Sequence, residues 1–286
     1  DTAGPMARSV ADAAAVLAAI SGEDASDAAT QANAGHVIDD YTPHLKANGL
    51  AGTRIGVVRD LMGYQPDVDA AMEQAIAAMQ AAGATVVDAD IATLNKWNSP
   101  EFKVLKYELK AGLARYLTES DAPVTSLAGL IEFNREHAGR EMPFFGQDIF
   151  EQAQALGPLT DPDYLEAREK TRRLAGPEGI DATLAAQRLD ALVAPATSPA
   201  WLTDPISGDH FTGAGYGVAA AAGTPSITVP MGDSHGLPVG VVFMGPAWSE
   251  PRLVELAYSF EQATNARKPP RFLPTVTPDA VPAAAE

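Results

Sequence analysis

The chain has 286 residues, 46% of them apolar, with a formal charge of −17 and no cysteine. Such a composition can bury a core and excludes a wholly disordered polymer, while the charge argues against nucleic acid, whose backbone needs Lys and Arg clustered on one face. Without cysteine there is no disulfide, thiolate metal site or cysteine nucleophile, and no apolar run approaches the roughly 20 residues of a membrane-crossing helix, so no membrane partner is expected.

In chain order, Ser9 and Asp12 form a capping-box pattern. Behind them Val10, Ala13, Ala14, Val16, Leu17 and Ile20 recur at helical spacing, with Gly22 as the stop. The chain opens on Asp1 rather than Met, with no secretory signal ahead of the helix, so a processed, excised or partially read chain is expected. A polar stretch, 23–48, leads to a strand–helix–strand unit. Arg54 to Val58 is the first strand, the helix carries Val68, Ala71, Met72, Ala75, Ile76 and Met79 on one face and stops at Gly83, and Thr85 to Val87 returns as a strand. This predicts parallel pairing through a right-handed crossover.

Residues 97–190 read as a mostly helical insertion and a candidate cap over a pocket. In it, Lys103, Lys106 and Lys110 form a solvated face opposite Phe102, Leu105, Leu109 and Leu113. A helix is expected near Asp161-Pro162. Strands follow at 191–195, 226–229 and 239–243, with a short buried helix expected within 211–223 and a last helix after Ser249 carrying Pro251 in its first turn. Residues 1–272 are expected to belong to a single domain, of which they are the C-terminal portion, and 273–286 to form a loose C-terminal tail.

Gly232-Asp233-Ser234-His235-Gly236 matches a nucleophile-elbow pattern, yet both flanks read as strands where an elbow needs a helix after the serine, so a polar hairpin turn is the better reading. Gly213-Ala214-Gly215-Tyr216-Gly217 lacks the spacing and leading strand of a dinucleotide loop, and close helix packing explains it better. His36, His44, His137, His210 and His235 have no metal-ligand spacing, and Asp209-His210 reads as a surface turn. No metal or cofactor is expected. Within Glu141 to Gln147, Phe145 and Gln147 are candidate substrate contacts, against ordinary loop packing. Thr197 and Trp201 are candidates because they leave a strand end, where open α/β sheets place ligands, against a Pro-rich connector. Tyr216, in the small-residue segment, is the fifth candidate.

Asp1-Thr-Ala-Gly-Pro-Met-Ala-Arg-Ser-Val10, Ala222-Gly-Thr-Pro-Ser-Ile-Thr-Val-Pro-Met-Gly232 and Gly236-Leu-Pro-Val-Gly-Val-Val-Phe-Met-Gly-Pro-Ala-Trp-Ser-Glu250 together resemble the amidase signature family, over residues 1 to about 272. The resemblance implies an α/β fold with a mixed sheet flanked by helices, here its second half, interrupted by the helical insertion at about 97–190. It also implies hydrolysis of a carboxamide to acid and ammonia. In the family a serine nucleophile, a second serine in a cis peptide and a lysine form an acyl-enzyme. Those groups lie in a Gly-Gly-Ser-rich stretch and an upstream lysine, ahead of the Asp-Thr-x-Gly-Pro segment. This chain has no Gly-Gly dipeptide, so no catalytic residue is carried over and the chain alone is expected to be inactive. The Pro-Phe-Phe-Gly-Gln and Gly-Pro-Ala-Trp-Ser-Glu segments resemble peptide-amidase-like members. The implied partners are a small-molecule or peptide amide substrate and the missing N-terminal half. The alternatives are a non-catalytic binding or scaffold chain, or one subunit of a split amidase or amidotransferase.

Overall fold

The computed structural model describes residues 4–33 and 35–272; the expected tail, 273–286, lies outside them. α1, Val10–Ile20, starts where the pattern predicts: the Ser9 side chain accepts the Asp12 amide at 3.1 Å. Its stop comes one residue before Gly22, because Ser21 caps it by donating its hydroxyl to the Leu17 carbonyl. Only Val10 and Ala14 of the predicted stripe are buried.

β1 (Arg54–Val58), α2 (Pro66–Ala81) and β2 (Thr85–Ala89) form the expected unit, with β1 and β2 parallel. The buried residues of α2 are the six predicted from spacing. The insertion folds as α3 (Asn98–Glu119), α4 (Leu127–Glu136), α5 (Ala138–Glu141), α6 (Asp148–Gln154) and α7 (Pro162–Ala175), then a π turn at Gly176–Ile180 and α8 (Asp181–Gln187). Two expectations fail on α3. Lys110 is not simply solvated, since its ammonium donates to the carbonyls of Gln154 and Leu156 at the end of α6. Phe102 and Leu105, read as inward-facing, are exposed.

β3 (Ala191–Pro195), α9 (Gly217–Ala222), β4 (Ser226–Ser234), β5 (Leu237–Met244) and α10 (Glu250–Thr264) complete the chain. The expected helix within 211–223 shrinks to α9, and residues 211–213 stay irregular. β4 runs on to Ser234, so the hairpin loop is only His235-Gly236, both at positive φ (51° and 82°). That is the conformation a tight two-residue hairpin requires.

The sheet order is β2-β1-β3-β5-β4. β1 pairs parallel with β2 and β3, while β5 runs antiparallel to both β3 and β4. Alternation along each strand sends side chains to two cores. Ile55, Val57, Val193, Val241 and Phe243 pack under α2 and α10. On the opposite face Val58, Leu192, Ala194, Val242 and Met244 pack with Leu174, Ile180, Val218 and Ala219. This second layer stops at β5: on β4, Val229 and Met231 are buried in the first core while Ser226 and Thr228 are exposed. β4 is therefore an edge strand of nine residues with one face partly bare.

Candidate functional site

The C-terminal ends of β1 and β3 lie side by side, and three segments meet there. After β1 the chain turns through Arg59–Leu61 to Tyr64. After β3 it passes through Ala196, Thr197 and Ser198, and the third segment, Gly213 to Tyr216, leads into α9. Backbone bonds fasten the last two: Thr197 bridges Ala214, the Ser198 amide donates to the Gly213 carbonyl at 2.9 Å, and the Gly215 amide donates to the carbonyls of Pro195 and Ala196.

The glycines here answer to close approach rather than to phosphate. A methyl group on Gly213 would collide with the Tyr64 ring, and one on Gly215 would stand 2.7 Å from the Ala194 methyl and the Pro195 carbonyl. Gly217 meets nothing and owes nothing to packing. We expect Gly215→Ala to cost about 1–3 kcal/mol as an overpacking change. It should also displace the segment carrying Tyr216, seen as a lower Tm with faster amide exchange across 196–216.

Of the five candidates, three lie on the joined segments after β3 and before α9. Thr197 bridges Ala214, two residues before Tyr216, and Trp201 stands on the intervening loop, its indole N–H donating to Asp209 at 3.0 Å and its ring edge-on to Phe211. Tyr216 is 52% and Trp201 39% exposed. Asp209 is thus engaged by an indole. Phe145 and Gln147 form a separate group between α5 and α6. Phe145 is 78% exposed, whereas the Gln147 amide is occupied, donating to the Ile131 carbonyl and accepting from Asn134. Among the described residues no hydrogen bond or aromatic pair joins the two groups. Two shallow clefts lie elsewhere, one of about 360 Å³ along α7 and one of about 260 Å³ between α1, β4 and α10, and neither is lined by a candidate.

Sequence reasoning missed two residues at this strand edge, Ser198 and Tyr64. Both hydroxyl oxygens are buried without a hydrogen-bond partner among the described residues. Burial, then the charge of Asp69, pushes the Tyr64 phenol up to about 12, so it stays a neutral donor. The available signal was their position just past the ends of β1 and β3, where ligands gather in open α/β sheets.

The Gly-Asp-Ser-His-Gly decoy resolves as geometry. The Ser234 hydroxyl donates to Asp67 at 2.8 Å, and His235 Nε2 lies 3.3 Å from the same carboxylate. One carboxylate between serine and histidine leaves the serine no base, and Ser234 is buried. The lysines supply none either. Lys46, Lys103 and Lys268 face carboxylates, Lys96, Lys106 and Lys110 face carbonyl or amide oxygens, and Lys170 is exposed on α7. No group of three or more His, Asp or Glu able to hold a metal occurs among the described residues, and no helix there is long and apolar enough to cross a membrane.

A family model described as Amidase matches residues 1–254. A probable amidase of Arabidopsis thaliana is 33% identical over 96% of this chain and 50% of its own length. A glutamyl-tRNA(Gln) amidotransferase subunit of Acinetobacter baumannii is 28% identical over 93% of this chain and 55% of its own length. Among solved structures, native peptide amidase from Stenotrophomonas maltophilia superposes with a TM-score of 0.89 at 52% identity, covering 95% of this chain and 55% of that one. The chain spans about half the length of the curated relatives it matches.

Proposed function

This chain belongs to the amidase family, and from that premise we propose that it is the C-terminal portion of an enzyme that hydrolyses a carboxamide, a peptide C-terminal amide above all, to acid and ammonia. The observation that carries the reading is the 52% identity to peptide amidase, well above the 28% to the amidotransferase subunit. In this reading the Ser-cis-Ser-Lys triad is carried by polypeptide outside residues 1–286. The absence of a Gly-Gly dipeptide supports that, as does the engagement of Lys46, Lys96, Lys103, Lys106, Lys110 and Lys268 by groups other than serine. A lysine acts as a base only within hydrogen-bond reach of the proton it takes.

On this reading residues 1–286 contribute two things. The sheet from β2 to β4 is a rigid platform, and the partly bare β4 edge, an unpaired row of amides and carbonyls, is where the rest of the domain continues the sheet. Thr197, Trp201 and Tyr216 then line the substrate's path from the strand edge, with Phe145 on the helical insertion as an apolar wall and Gln147 fixing the loop that carries it.

The test is an ammonia-release assay on the native protein with a peptide C-terminal amide, the matching peptide acid as blank, and glutamine as competitor substrate. We expect turnover of the peptide amide and none of glutamine. Glutamine turnover dependent on a second chain would replace this reading with the amidotransferase one. No turnover of any amide, with no serine labelled by a fluorophosphonate, would leave a binding or scaffold role.

A further inference from the structure

The loop from Ser198 to Gly213 is closed at its ends and tied mostly to itself. Its base is the Ser198–Gly213 hydrogen bond beside the Thr197–Ala214 bridge. Its body is held by the Trp201–Asp209 bond, the Trp201–Phe211 ring pair and the Asp204 carboxylate, which accepts the amides of Ile206 and Ser207. Its tip leaves Leu202 89% and Ile206 93% exposed. Compact surface loops with close ends, packed by their own side chains, are frequently functional.

At the base sit two of the three buried side-chain hydroxyls without a hydrogen-bond partner among the described residues, the third being Thr224. The Ser198 hydroxyl is unpartnered although the residue is 5% exposed, and the Tyr64 hydroxyl is unpartnered as well. Both flank Gly213, Ser198 through the bond to its carbonyl and Tyr64 through a ring so close that no side chain fits between. A buried hydroxyl without a partner disfavours the conformation that buries it. For Ser198, at the base of the loop, that cost falls on the closed loop.

We propose that Ser198 and Tyr64 form a two-hydroxyl binding site for an uncharged amide group, gated by the 198–213 loop as a lid. It rests on the amidase reading for the choice of ligand and assigns the hydroxyls a role in holding substrate. The chemistry suits an amide: the phenol stays protonated and donates to the amide oxygen, while the serine hydroxyl accepts from an N–H or donates as needed. Trp201 and Tyr216 beside the opening give an apolar flank to the group that carries the amide.

The proposal is tested by amide hydrogen exchange on the native protein, following peptides across 198–213, with Ser198→Ala and Tyr64→Phe. Each removes an orphan hydroxyl without adding bulk, so each should favour the closed loop and slow its exchange by about tenfold. N-acetylphenylalanine N-methylamide should speed exchange in the same peptides of the parent protein and have no effect in the double variant. Faster exchange in the single variants would mean that the hydroxyls hold the loop shut, and would overturn the proposal, as would a parent unmoved by the probe. Ammonia release from a peptide amide, read in parallel, separates the two readings. Hydrolysis with no probe response removes this site and leaves the amidase, whereas a probe response without hydrolysis removes the amidase and leaves the site.

Discussion

Residues 1–286 produced alone are expected to release no ammonia from any peptide amide and to emerge as aggregated or loosely packed material. The chemical half of this expectation follows from the lysine and serine placements: an acyl-enzyme needs a serine with a base in reach, and Ser234, the serine of the elbow-like motif, is buried and bonded to Asp67. The physical half follows from the surface. β4 presents an open edge with Ser226 and Thr228 bare on one face, while Phe102, Leu105, Phe144, Phe145, Leu202 and Ile206 are exposed. Ordinary monomers tolerate contiguous apolar patches of about a few hundred Å², and long open edges template aggregation. Pro230 and the irregularity between Pro230 and Gly232 blunt only the later part of the strand. Size-exclusion chromatography, near-UV circular dichroism and dye binding read the state of the chain, and co-expression with the polypeptide that carries the triad should restore a cooperative transition and activity together. A monomer that melts cooperatively with a fixed near-UV signal would sink the half-domain reading.

How much of this was legible before the fold was known differs by element. The strand–helix–strand unit was legible in full because α2 has one buried face and its apolar spacing is unambiguous. The short strands near Ala191 and Val239 were legible because continuous apolar runs mark strands buried on both faces. The facing of α3 was not, since the stripe from Phe102 to Leu113 is partly buried only toward its second half, where Leu109 and Leu113 meet the small cluster of Leu127, Ile131 and Ala153. Periodicity reports a capacity to pack, and packing also needs a neighbour. At the strand edge, Thr197, Trp201 and Tyr216 could be nominated from chain position alone. Ser198 and Tyr64 share such a position, past the ends of β3 and β1, but position did not single them out, because what distinguishes them is a hydrogen bond not made within a tertiary environment built from three distant segments. Gly213 and Gly215 read as close helix packing, but they lie ahead of α9, Gly213 against the Tyr64 ring and Gly215 against Ala194 and Pro195, partners that sequence could not name.

Glu255→Ala is expected to destabilise the intact protein by about 2 kcal/mol at neutral pH, and the loss should fade as the pH is lowered. Glu255 lies on α10, buried, between Lys46 and Arg252, and Arg252 reaches on to Asp190, whose other oxygen accepts the Arg54 amide at 2.7 Å. One carboxylate thus ties α10 to the segment before β1 and to the start of β3. Gly49 leaves no room for slack, since a methyl group there would stand 2.5 Å from the Glu255 carbonyl. Removing one member of a fully buried pair costs about 3–5 kcal/mol; Lys46 and Arg252 are partly exposed and can turn to water, which scales the figure down. Burial alone would raise the Glu255 pKa, but hydrogen bonds from Lys46 and Arg252 outweigh it and hold the group below its ordinary value of 4.5. A carboxylate whose folded pKa is depressed stabilises the fold fully above its unfolded value and loses that contribution as the pH falls through the folded one. Parent and variant should therefore differ most in Tm near pH 7 and converge as the pH falls through the depressed folded pKa of Glu255. Equal melting temperatures at pH 7 would show that Lys46 and Arg252 are as well served by water, and that α10 is held by its buried face, Leu253, Val254, Leu256 and Phe260, and by the Ser259 and Arg252 bonds that remain.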